Sequence, residues 1–347
     1  MKKNYYSIQQ GAGKMETNIT TKNQTPAKTS FDLFQFFYKY GTIITIVALI
    51  IIFSLANPAF IQGNNIVNIL RSISIVTIIA IGITISLTVD GFDLSVGSVA
   101  SLSNAIVISM FVWFSQNTFV AIISAIAAAL IVGILNSIMI VKMRIPDMLM
   151  TLATMFIIQG TALTYTKGAT VSQNMVLPDG TMAEGLISPF FSKIGQVPWI
   201  ILIMVVVVVV VHIFLTYTKH GRYMYVIGGN KEAARLSGIP VNKYKVAAYL
   251  LSALFASIGG IVLASRVMTS EINSGAPYLM DSVAAAFIGF SVLGAGKPNA
   301  IGTFVGAVLI GILANGLVML SVPYYAMDIV KGTVLAFALA ITYYKQK

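Results

Sequence analysis

The 347-residue sequence contains no cysteine and only two histidines. The first absence excludes a disulfide framework, thiol catalysis and cysteine-ligated metals. The second leaves a histidine-built metal site short of ligands, so neither a metal nor a cofactor is expected. Charge is scarce as well: Lys, Arg, Asp and Glu make up 10% of the chain, and Asp and Glu number only 11, whereas soluble domains carry about 25% charged residues. A chain this poor in charge cannot clothe a water-facing surface. No Gly-x-x-x-x-Gly-Lys-Ser/Thr run occurs, which excludes a phosphate-cradling Walker A loop. No Ser–His–Asp arrangement and no pair of catalytic carboxylates stands out. Residues 1–40 lack the apolar core of a secretory signal. They read as a polar, disordered tail whose aromatic end, 31–40, suits a short interfacial helix or a plain run-in to the first span.

Apolar runs dominate what is present: 57% of residues are hydrophobic. A membrane-crossing helix needs about 20 mostly apolar residues. Ten such spans are expected, at 41–60, 66–89, 95–114, 118–141, 146–165, 197–217, 244–265, 280–295, 300–320 and 325–343, with the third reading as broken or partial. The fold class is therefore all-α, a polytopic membrane protein. The net charge of +11 would suggest nucleic acid on a soluble chain. Here the cations lie in loops, and no nucleic-acid partner is expected. Of the 22 Lys and Arg, only Arg71, Lys167, Lys193, Arg266 and Lys331 fall outside the segments that an inside–inside topology places in the cytoplasm. That bias orients the chain with both termini cytoplasmic and with an even number of spans.

Small residues mark helix-packing faces. Gly302, Gly306 and Gly316 lie within about 80° of one another at 100° per residue, while Gly311 points away. Ser95, Ser98, Ser101, Ala105 and Ser109 form a second stripe, and Ala256, Gly259 and Gly260 a third. In lipid such surfaces let backbones approach closely. Val205 to Val211 is uninterrupted valine and is expected to face lipid. Among charges in or beside spans, Asp328 and Lys331 are spaced to pair on one helix, and Arg71 is placed to snorkel outward. Deep carboxylates in several spans, which a proton or sodium relay would need, are lacking. The loop 166–196, with its Leu177-Pro178-Asp179-Gly180 turn signal, is expected to form a small external cap.

Two polar segments stand apart. In Gly91-Phe92-Asp93-Leu94-Ser95-Val96-Gly97-Ser98, Asp93 and Ser95 suit the capping of a helix that starts almost without a loop, and Gly91 and Gly97 permit an irregular entry. Non-helical backbone at membrane depth is tolerated where it is buried in protein or lines a cavity. Both a pathway lining and a capped tight turn fit the segment. The second runs from Asn230 to Pro240. Asn230 suits an N-cap, Glu232 the positive helix start and Arg235 its other end. Gly238 and Pro240 stop the helix, and Leu236 and Ile239 offer apolar contact. It lies in the most basic loop, and both a contact for a soluble partner and a helix resting on headgroups fit it.

These segments carry a family resemblance. Gly228-Gly229-Asn230-Lys231-Glu232-Ala233-Ala234-Arg235-Leu236-Ser237-Gly238-Ile239 closely resembles the cytoplasmic coupling segment of ribose-type (simple sugar) ABC-transporter permeases. Gly91 to Ser98 is similar to the same family's Gly-Gly-Ile-Asp-Leu-Ser-Val-Gly signature, with Asp90 in place of the first glycine and Phe92 in place of isoleucine. A third match runs from Ala284-Ala285-Ala286 through Gly294-Ala295-Gly296-Lys297 and Gly302-Thr303 to Gly311. The resemblance spans roughly residues 45–343. It implies an ABC importer permease of about ten helices in a bacterial inner membrane, working as a homo- or heterodimer, with solute delivered by an extracytoplasmic binding protein. It further implies a cytoplasmic ATPase seated on a coupling helix at 229–239, through Asn230, Glu232, Ala233, Ala234, Arg235, Leu236, Gly238 and Ile239. The departures from the signatures leave the solute open among ribose, related sugars, a sugar-like signalling molecule, a nucleoside and a branched-chain amino acid. An ion-coupled secondary transporter is the competing class.

Overall fold

The computed structural model describes residues 33–177, 180–292 and 296–344. Residues 1–32 of the expected tail, the tip of the 177–180 turn and Gly294-Ala295 of the third match lie outside them. Among the described residues the chain forms α1 (Leu33–Ala56), α2 (Gly63–Leu87), α3 (Val96–Val112), α4 (Thr118–Val141) and α5 (Asp147–Tyr165). A short α6 (Pro189–Ile194) precedes α7 (Trp199–Tyr217). Then come α8 (Lys219–Gly229), α9 (Lys231–Leu236), α10 (Val241–Val267), α11 (Ala276–Ser291), α12 (Ala300–Met319) and α13 (Tyr324–Tyr344). From Leu33 onward the 31–40 stretch belongs to α1, which continues unbroken to Ala56.

Among the described residues, six helices are long and apolar enough to cross a membrane by length and composition: α2, α4, α5, α7, α10 and α12. The apolar stretches of α1 (Tyr40–Ala56), α3 and α11 (Ala276–Phe290) are shorter. The 17 residues of α3 rise about 25 Å, less than the hydrocarbon core of about 30 Å. The shortfall has a local cause, since residues 88–95 are spent on a non-helical approach. The expected span 280–295 is shifted, with its helix beginning at Ala276.

Burial sorts the helices. α10 is the hub, packed on α2, α3 and α4, while α12 packs on α11 and α2. The reason is visible in α10's own sequence. Gly259 seats the Ile79 side chain, and Gly260 lies against the Ala100 carbonyl so closely that any side chain would collide. In lipid there is no hydrophobic force between helices, so close van der Waals contact and hydrogen bonds hold them. Thr84 and Thr303 hydroxyls meet at 2.6 Å, Ser103 donates to Ser257 at 2.9 Å, and Asn65 and Asn315 exchange amide hydrogen bonds at 2.9 and 3.0 Å. The glycines of α12 divide their work. Gly302 and Gly306 abut backbone of α11 at Gly289 and Ala285, Gly316 meets the Phe53 ring of α1, and Gly311 faces Ile73 of α2. The valine run of α7 splits by face: Val205, Val206, Val209 and Val210 are exposed, whereas Val207, Val208 and Val211 are buried. Four of the seven valines are free to meet lipid and three are not, because α7 also packs on α2.

Two antiparallel residue pairs join Val171–Ser172 (β1) to Thr269–Ser270 (β2). With α6, whose Phe191 is buried against Phe111, they close one end of the bundle. Lys331 does not pair with Asp328 along its own helix. It crosses to Asp281 of α11 at 2.9 Å, a charged tie between helices. Arg71 donates to the amide oxygen of Gln196, in the loop before α7.

Candidate functional site

The end of the bundle opposite that cap carries both polar segments, with α8 between them. α9 forms as its residues direct. Asn230 Oδ1 accepts the Ala233 N–H at 2.9 Å, filling an orphan donor of the first turn. Glu232 lies in the first turn and Arg235 in the last. Gly238 turns into the left-handed region at φ +76°, and the Gly238 and Ile239 N–H groups close onto the Arg235 and Ala234 carbonyls at 3.0 Å each, the usual glycine-terminated end. Ala234 is buried and Ile239 packs on the main core, while Leu236 is 87% exposed. Ala233 and Gly238 are exposed with it. The six-residue helix thus sits on the bundle by one side and stands free on another.

α8 went unforeseen, because Lys219–Gly229 is too polar to register as a span. It packs on α7 and leads straight into α9. Its Gly228 presses on the end of α2: a Cβ there would lie 2.5 Å from the Thr88 carbonyl and 3.4 Å from the Asp90 nitrogen. Tyr225 donates to the Pro298 carbonyl at 2.7 Å, and its burial pushes the hydroxyl up to about 12. α8 therefore links α9 to the break after α2 and to the entry of α12.

At the break, Asp90 adopts φ +55°, a conformation natural to the glycine of the family signature and tolerated by Asp. Gly91 is needed for close approach, since a Cβ would sit 2.7 Å from the Tyr249 hydroxyl and 3.0 Å from Asp147 Oδ2. Asp93 is buried, and its role differs from the expected cap. Oδ1 accepts the Ser95 N–H (2.9 Å) and the Ser95 hydroxyl (2.6 Å), while Oδ2 accepts the Ser252 hydroxyl of α10 (2.7 Å). The carboxylate stops short of the first-turn N–H groups because its second oxygen is held across the helix interface. It pins the start of α3 to α10. Gly97 lies against Leu279 and the Gly275 carbonyl, where a side chain would not fit, and Ser98 donates to the Ser95 carbonyl at 2.8 Å.

Several partners were missed. Asn136 of α4 donates to Ser95 Oγ (3.1 Å) and accepts from Thr154 of α5 (2.6 Å). Thr151 donates to the Phe92 carbonyl (3.0 Å). Asp147 accepts from Lys245 (2.8 Å) and Tyr249 (2.7 Å), both on α10. The signal was present in part: Asn136 is an isolated amide in an apolar run, and Asp147 is a carboxylate at a helix start. Their convergence was not readable. Together these groups tie α3, α4, α5 and α10 into one polar knot beside α8 and α9. The knot can hold or transmit a displacement, and among the described residues no group of three or more His, Cys, Asp or Glu is placed to hold a metal.

Fold and site together define a polytopic membrane protein with a structured helical projection at one end of its bundle. Residues 65–339 match the family described as branched-chain amino acid transport system / permease component, and the chain belongs to that permease family. The ribose import permease protein RbsC of Escherichia coli (strain K12) is 35% identical over 308 residues, covering 88% of this chain and 94% of the relative. RbsC of Bacillus subtilis (strain 168) is 34% identical over 87% of this chain and 92% of its own length. The xylose transport system permease protein XylH of Haemophilus influenzae is 30% identical, over 87% and 95%. No solved structure matches the chain.

Proposed function

We propose that this chain is the membrane-spanning permease subunit of an ATP-driven ABC importer for a simple sugar, a ribose-like pentose or a close relative. The observation that carries this reading is the 35% identity to a ribose import permease across 88% of the chain. In this reading residues 41–347 form the permease domain in a bacterial inner membrane, with ten spans, both termini cytoplasmic and residues 1–40 a tail. A second permease copy completes the path, and an extracytoplasmic binding protein delivers the solute. Hydrolysis belongs to a separate cytoplasmic ATPase seated on α9. The free Leu236 side and the capped, glycine-terminated geometry suit α9 to being gripped. Displacement of α9 would reach the start of α3 through α8, the break at Asp90–Ser95 and the polar knot.

The test is uptake into vesicles reconstituted with the chain, its ATPase and its binding protein. ATP-dependent accumulation of labelled ribose or xylose is expected. Accumulation driven by an ion gradient without the ATPase would replace this reading with a secondary transporter. The family description favours one second reading, a branched-chain amino acid as solute, and uptake of leucine in place of either pentose would establish it.

A further inference from the structure

Beside α9 lies a cavity of about 890 Å³, formed by the α4–α5 connection, the α9 helix and the start of α10. Six of its lining side chains are basic: Lys142, Arg144, Lys231, Arg235, Lys243 and Lys245. Only two are acidic, Asp147 and Glu232, and Asp147 is already held by Lys245. The other five cations have no ion-pair partner among the described residues. Their convergence is a product of folding, since they come from three separate stretches of chain. Arg144 enters the cavity rim on a left-handed turn at φ +58°. Like charges gathered around one concavity repel each other, and an anion placed among them relieves that repulsion.

We propose that this cavity is a binding site for a phosphate-bearing anion, supplied by the headgroup of an anionic phospholipid. The surroundings point to a lipid. Met143, Met148 and Leu149, next to the cavity-lining residues in sequence, are 62%, 56% and 61% exposed, and Leu152 and Phe156 continue an exposed apolar surface along α5. A headgroup in the cavity leaves its acyl chains lying on that surface. Basic pockets between spanning helices on the cytoplasmic side are suited to such headgroups. Placement in the inner leaflet rests on the orientation proposed above, whereas the anion site itself does not. On α9, Lys231, Glu232 and Arg235 line the cavity, while Ala233 and Leu236 are not among its walls. The anion would steady the helix from one side and leave the other free.

The test uses the purified full-length chain in uncharged detergent, titrated with dihexanoyl phosphatidylglycerol, dihexanoyl phosphatidylcholine or sodium phosphate, with melting temperature as the readout. The phosphatidylglycerol is expected to raise the melting temperature, and the phosphatidylcholine is not. The triple variant Lys142→Gln, Arg144→Gln, Lys243→Gln should weaken the apparent affinity about 5-fold per charge removed. The variant Lys219→Gln, Arg222→Gln removes two cations from α8, outside the cavity, and should bind as the parent does. Equal stabilisation by inorganic phosphate, lost in the triple variant, would keep the anion site and assign it to a soluble phosphoryl group. Equal response to phosphatidylcholine, or an equal loss in the α8 variant, would overturn the proposal. So would a triple variant whose ligand-free melting matches the parent and whose lipid response is unchanged, with any loss of ATPase association then marking the cavity as a protein contact. The measurement involves no transport, so its failure and a failure of the importer reading are distinguishable.

Discussion

Single side chains at the α9 end do more than their chemistry in isolation suggests. Asn230 fills one orphan N–H at the start of a helix only six residues long, and so short a helix has little cooperative reserve. Asn230→Ala should destabilise α9 by about 1 kcal/mol, read as faster hydrogen exchange at the amides of residues 233–236 with global melting almost unchanged. Unaltered exchange would mean that the α8 contact alone holds the helix. The Asp147–Lys245 pair is a sharper case, with its side chains 17% and 13% exposed. Removing one partner strands the other with little water to replace it. Asp147→Asn and Lys245→Met should each lower stability by about 1–3 kcal/mol, and the double variant should lose less than the two combined. Additive losses in detergent melts would show that the pair is no more than two surface charges.

Elements are held by what they lack. Gly306 brings α12 onto the Ala285 carbonyl of α11, leaving no room for a Cβ. Gly306→Leu should force the two helices apart and cost about 1–3 kcal/mol. Gly160 of α5 has nothing within 4 Å, so Gly160→Ala should be neutral or stabilising by up to about 1 kcal/mol. Comparing their melting temperatures separates close packing from mere helix propensity, and equal behaviour would refute the close-contact account of α12. The stripe Gly302, Gly306 and Gly316 was legible as a periodic face, but its partners were not. One face at a spacing of 100° meets two helices, because α11 and α1 lie against α12 at different heights.

For the whole molecule, the lack of native cysteine gives a clean background for testing orientation. With α9 proposed as cytoplasmic, Ser237→Cys should react with an impermeant maleimide in inside-out vesicles and stay unlabelled in intact cells. Met182→Cys, in the 166–196 loop at the other end and 62% exposed, should behave oppositely. Labelling of Ser237→Cys from outside would reverse the topology and remove the proposed ATPase contact. The arrangement also brings two segments more than 130 residues apart to one end of the bundle. α2 ends where Gly228 of α8 presses on Thr88, and from there the polar knot reaches α4, α5 and α10.

Composition and periodicity by themselves determined the class. Apolar runs of span length, cations kept mostly outside those runs and glycines on helical faces follow from the physics of lipid, which acts on each helix separately. The cap, charges and glycine stop of α9 were legible for the same reason, since capping is local to a few residues. Only the tertiary structure decided that Asp93 bridges to Ser252, that Lys331 chooses Asp281 over Asp328, and that six cations share one cavity. Those outcomes depend on which helix faces which, and at what depth. That choice is made by close contact between backbones distant in sequence, which no local pattern encodes.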